Sequence, residues 1–104
     1  MARVIKQPSA KADLAAIGRF VAFESRSKAV AIRFVRKLVR RCQTCADFPE
    51  HGELCSHLGS GVRRFSVSNY NLYFRKTVGG IELLRVIHGS RDEQSAWQSK
   101  SQSS

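Results

Sequence analysis

Residues 61–92, GVRRFSVSNYNLYFRKTVGGIELLRVIHGSRD, constrain the fold more than any other part of the chain. Phe65 and Val67 alternate with Arg64, Ser66 and Ser68. Tyr70, Leu72 and Phe74 then alternate with Asn71, Tyr73 and Arg75, which is the period of two of half-buried strands. Ser68-Asn69 and Val78-Gly79-Gly80 supply the turns, with Asn69 and the glycines suited to left-handed positions. A three-stranded antiparallel meander is predicted. Its third strand, over 81–88, carries Leu83, Leu84, Val86 and Ile87 in a near-continuous apolar run, so it is expected to be central and covered on both faces.

The meander needs something to bury its apolar face. Residues 2–6 contain Val4 and Ile5 and are closed by Gln7-Pro8, a short first strand placed to pair with the central one. From Ala10, with Ser9 as cap, Leu14, Ile17, Phe20 and Val21 recur at helical spacing to near Glu24, with Asp13 close to the positive end of the helix dipole. Ser27 caps a second helix in which Ala31, Ile32, Val35, Leu38, Val39 and Cys42 form one stripe, ending around Ala46. So short a connection implies an antiparallel helical hairpin packed on the sheet. Residues 47–60 read as an irregular crossover, and the domain is expected to close at 93. Residues 94–104 read as a flexible tail with one helical turn around Trp97. The fold class is α+β: an antiparallel sheet, built from a short N-terminal strand and the meander, packed against an N-terminal helical hairpin.

At 104 residues the chain has room for one domain with a modest core. Formal net charge is +10, and twelve of the eighteen basic residues are arginine, so the partner is anionic: nucleic acid, a protein acting on nucleic acid, or an acidic protein. No apolar run approaches the roughly 18 residues of a membrane span, and no secretion signal is visible. Three cysteines, an odd number, do not suit a disulfide framework. A cytoplasmic setting without membrane contact is expected.

Four segments carry a family resemblance: AKADLAAIGRFV in the first helix, DFPEHGEL in the crossover, VRRFSVSNYNLYFR in the first hairpin, and IELLRVIHGSRD in the last strand and its exit. Together they resemble the ParE branch of the ParE/RelE superfamily of bacterial type II toxin-antitoxin systems. The resemblance implies an antiparallel sheet cradling a helical hairpin and a cytoplasmic toxin that inhibits growth. It also implies a hetero-oligomer with a cognate, acidic, ParD-like antitoxin. ParE-type members poison DNA gyrase, whereas RelE-type members on the same fold are ribosome-dependent mRNA endonucleases. The fold does not choose between them.

RNA cleavage by attack of the 2′-hydroxyl needs proton transfer at two oxygens and cations on the developing charge. Arg64 and Arg91 fall where basic members of a RelE-like set would lie. Asn71 stands where RelE-like toxins place an arginine, and Trp97 where they place a tyrosine; an indole N–H neither gives nor takes a proton in catalysis. His88 is the remaining titrating candidate, with the competing reading of a structural histidine at a strand exit. The balance favours an inhibitor over a nuclease whose set would be Arg64, His88 and Arg91. No cofactor is expected.

Arg63, Arg64, Arg75 and Arg91, with Tyr73, are the expected target contacts; at strand spacing the aromatics also read as core. Arg33, Arg36, Lys37 and Arg40 share one face of the second helix with Arg41 and no acid, which makes them either the antitoxin contact or a solvated face. Cys42, Cys45, His51, Cys55 and His57 are zinc-ligand types in a short window. Their spacing matches no regular knuckle pair, so buried thiols without a metal are expected. A toxin that has lost its activity and only completes the antitoxin complex is the third reading.

Overall fold

The alternation in the meander becomes two strands, β3 (Arg63–Val67) and β4 (Tyr70–Thr77), paired antiparallel from Arg63 opposite Phe74 to Val67 opposite Tyr70. The positive φ of their turn falls on Ser68, at 55°, rather than on Asn69. The next strand, β5 (Gly80–His88), runs antiparallel to β4. These coordinates are a computed structural model, and the structure describes residues 2–98. Of the turn glycines only Gly79 is left-handed, with φ 83°. Gly80 is required for a different reason: a Cβ there would lie 1.9 Å from the Arg3 carbonyl oxygen.

That contact arises because β1 (Arg3–Lys6) pairs with β5 in parallel, Arg3 opposite Gly80 through Lys6 opposite Leu83. The sheet is therefore mixed, where an antiparallel one was expected. Four residues ended by Pro8 carry no periodicity from which direction can be read. A fifth strand, β2 (Glu53–Leu54), lies in the segment read as irregular and pairs antiparallel with β3. The order is β1-β5-β4-β3-β2, so β4 is the middle strand, while β5 is the one buried along most of both faces.

Helix α1 (Pro8–Ser25) begins earlier than expected, because Pro8 takes the first helical position, where its missing N–H is no loss and its φ is already helical. Ser9 is thus inside the helix, and its hydroxyl donates to the Leu84 carbonyl. Arg26, with φ 55°, ends α1. Ser27 caps α2 (Lys28–Asp47) as expected, accepting from the Val30 N–H at 3.2 Å.

The hairpin covers one sheet face. Leu14, Ile17, Leu38, Cys42, Leu72, Phe74, Ile81 and Leu83 form the larger cluster there. Each such side chain contributes on the order of 1.5–3 kcal/mol on burial. The opposite face carries a smaller cluster of Cys55, Val62, Tyr73, Leu84 and Ile87, closed by Ala96 of helix α3 (Glu93–Gln98). The domain boundary expected at 93 thus meets the first residue of a helix whose Ala96 is buried. Of the expected tail, 94–98 complete this helix and 99–104 lie outside the described residues. Among the described residues, no helix is long and apolar enough to cross a membrane.

Candidate functional site

On β4, Tyr70 and Tyr73 are an odd number of positions apart, so their side chains point to opposite faces. Tyr70 joins the cluster under the hairpin and Tyr73 the cluster under α3. Their strand partners follow them: His88 lies opposite Tyr70, and Arg64 lies opposite Tyr73. This geometry divides the residues a nuclease would have to unite.

The outer face has a polar centre. Arg64 donates to Glu93 at 2.7 Å and, through its second nitrogen, to Glu53 at 2.6 Å. Tyr73 donates its hydroxyl to the same Glu93 oxygen at 2.7 Å, and His57 Nε2 lies 2.8 Å from the other oxygen. Tyr73 is 1% exposed, with Trp97 set edge-on to its ring at 5.4 Å. Expected as a target contact, Tyr73 is therefore covered by α3 in this arrangement. Burial and the bond to Glu93 push its phenol up to about 12. Burial opposes ionisation of Glu93, but hydrogen bonds from Tyr73, His57 and Arg64 outweigh it and hold the carboxyl below its ordinary range.

His88 and Arg91 line a different hollow of about 480 Å³, between α1 and the end of β5, together with Phe20, Tyr70 and Asp13. Arg64 does not line it. The His88 ring stands edge-on to Tyr70, and its Nδ1 accepts from the Ser90 N–H at 3.0 Å and contacts the Ser90 hydroxyl at 2.7 Å. This is the strand-exit role read as its structural alternative. Arg63 donates to the Gly52 carbonyl, and Arg75 reaches Glu82 at 3.4 Å while remaining largely exposed.

A third region lies on the hairpin. Leu14, Ala15, Gly18, Ala22, Ile32 and Val35 make an apolar groove of about 500 Å³ with Arg19, Lys28 and Arg36 at its edge. Phe20, Phe23 and Ile32 are exposed, although Phe20 and Ile32 read as core in the sequence. Arg33, Arg36 and Arg40 project from α2 into solvent, and Lys37 donates to the Ser68 hydroxyl.

A profile described as ParE toxin of type II toxin-antitoxin system, parDE, matches residues 4–93. The chain belongs to the ParE toxin family. A solved chain described as the chromosomal ParDE TA system from P. aeruginosa shares the fold with a TM-score of 0.70 and 21% identity, over 85% of this chain and 96% of that one. No curated protein matches the sequence.

Cys55 lies apart from Cys42 and Cys45. Cys42 and Cys45 sit under the hairpin and Cys55 under α3, all buried and free of disulfides. Burial raises Cys42 to about 11 and, with Cys42 beside it, Cys45 to about 12, which keeps both as thiols. Among the described residues no three metal-ligating side chains gather. The sequence reading gave Glu93 no role, placed His57 only among zinc-ligand types, and missed the Asp13–Arg85 pair. Glu93, Ala96 and Trp97 do have the i, i+3, i+4 spacing of one helical face, which is a signal for a docked helix.

Proposed function

We propose that this chain is the toxin of a ParDE-type pair, inhibiting DNA gyrase by binding it in the cytoplasm and held inactive in a hetero-oligomer with an acidic, ParD-like antitoxin. Family membership supports the toxin reading. The observation that favours binding over RNA cleavage is the division of Arg64 from His88 and Arg91 between two faces of the sheet. A phosphoryl-transfer site needs its cations and proton carriers around one phosphorus.

The target contacts assigned in this reading are Arg63, Arg64, Arg75 and Arg91, at strand ends and at the exit of β5. The hairpin groove suits the antitoxin. Its small residues Ala15, Gly18 and Ala22 admit a helix closely, and Arg19, Lys28 and Arg36 face the acids expected on such a partner, with Arg33, Lys37 and Arg40 beyond them. Supercoiling by purified gyrase tests the reading. The protein should block it and an excess of antitoxin should restore it; full supercoiling in its presence rejects the gyrase target. Discrete mRNA cuts in a translating extract would instead establish the RelE-like alternative.

A further inference from the structure

Glu93 is the only carboxylate among the described residues of α3, yet three side chains from elsewhere in the fold converge on it: Arg64 of β3, Tyr73 of β4 and His57 from the crossover. A carboxylate only accepts, so His57 presents Nε2–H to it, and the three groups form a donor set for one anion. Arg64 and Tyr73 belong to the expected target contacts, and both are occupied internally. We propose that Glu93 is a built-in stand-in, and that when α3 lifts, Arg64, Tyr73 and His57 take an acidic side chain of the target protein in its place.

Three observations favour a carboxylate over a nucleic-acid phosphate. Both Glu93 oxygens are used, one by Arg64 and Tyr73 and the other by His57, so the donors are already arranged around a two-oxygen anion. Arg64 keeps Glu53 as a second partner, so departure of Glu93 frees one set of hydrogen-bond donors and leaves no net positive charge to hold a polyanion, which would also meet the Glu53 carboxylate. The donors are set in an apolar frame of Cys55, Val62, Leu84 and Ile87, which suits a protein side chain on an apolar surface. Among the described residues of α3, Ala96 is the one fully buried, and Arg85 donates to its carbonyl, so lifting α3 breaks that bond as well as those to Glu93. The nature of the partner rests on the target-binding reading above, whereas the anion site itself does not.

The test uses the full chain as wild type, E93A and E93Q, with the blocked amino acid N-acetylglutamate amide, inorganic phosphate and a single-stranded oligonucleotide as probes at matched ionic strength. Thermal melts report binding, and the fluorescence of Trp97, the single tryptophan, reports the state of α3. E93A should gain saturable stabilisation by the glutamate amide, with a Tm rise on the order of 5 °C well above Kd. The wild type should not respond, and adding R64Q to E93A should abolish the gain. E93Q preserves the packing of Glu93 and serves if E93A does not fold. No response from either variant, or the same response from wild type, overturns the proposal. A stronger response to phosphate or to the oligonucleotide overturns its carboxylate assignment. Binding of the glutamate amide by E93A alongside unaffected gyrase supports the site and rejects the target.

Discussion

The Asp13 carboxylate on α1 accepts two hydrogen bonds from the Arg85 guanidinium, at 2.7 and 3.1 Å, and a third at 2.9 Å from the Val86 N–H of β5. β1 ends at Lys6, opposite Leu83, so beyond that point β5 has no strand on this edge. Side chains of α1 stand in for one: the Ser9 hydroxyl donates to the Leu84 carbonyl, and Asp13 accepts from Val86. Arg85 also donates to the Ala96 carbonyl, which ties α1, β5 and α3 together through one buried cation.

Removing Asp13 strands that cation. D13A should cost about 3–5 kcal/mol in urea unfolding, since a buried charge loses its partner. Replacing both residues by apolar ones, D13L with R85M, should recover the part of the loss due to the stranded charge, while the bonds to the Val86 N–H and the Ala96 carbonyl stay lost. A D13A protein as stable as wild type would show that Arg85 finds water or another acceptor.

At the other end of β5, G80A places a methyl group against the Arg3 backbone and should separate β1 from the sheet. G79A meets no neighbouring atom and bears only the left-handed penalty of about 1–2 kcal/mol. G80A should therefore be the more destabilising by denaturant melts, and it should speed hydrogen exchange at Arg3 and Gln7, whose N–H groups bond to Gly79 and Leu83. Equal effects would contradict this assignment.

The helical hairpin and the meander were legible because each depends on local period: Leu14 and Ile17 at helical spacing, Leu72 and Phe74 at strand spacing. The direction of β1 and the two residues of β2 were not, because strands of four and two residues carry no pattern that distinguishes pairing partners. Asp13 was misread for a related reason. Its place near the start of a helix suggests a dipole contact, and nothing local announces Arg85, seventy-two positions away. At the candidate site, Arg64 and Tyr73 face one another across β3 and β4. Their shared partner Glu93 was missed because it lies in a stretch whose sparse apolar content resembles a tail.

Acid and alkali should act on that same cluster. The Glu93 carboxyl is held low in the folded protein, so its contribution is complete above the unfolded value of about 4.3 and is lost as pH falls below that value through the folded one. The Tyr73 phenol is held high, so its contribution is complete below about 10 and is lost as pH climbs from there through about 12. Tm measured against pH should show both declines. E93Q should remove the part of the acid decline due to Glu93 and soften the alkaline one, and profiles identical to wild type would refute the linkage.

The edge of the hairpin groove offers a separate test. Reversing Arg36 to glutamate leaves the buried stripe of α2 intact, because Arg36 is exposed. R36E should weaken antitoxin binding about tenfold, mainly through slower association, and should lessen its dependence on salt. Titration calorimetry with stopped-flow association would show it; unchanged affinity and salt dependence would move the antitoxin off this groove.

Whether the protein disables its target by occupying it or by cutting something is decided by stoichiometry. Purified gyrase at a fixed concentration, well above Kd, should lose supercoiling activity in proportion to added protein, reaching its limit near molar equivalence and leaving added RNA intact. Complete loss at a small fraction of an equivalent, or RNA cleavage with gyrase untouched, would contradict inhibition by binding.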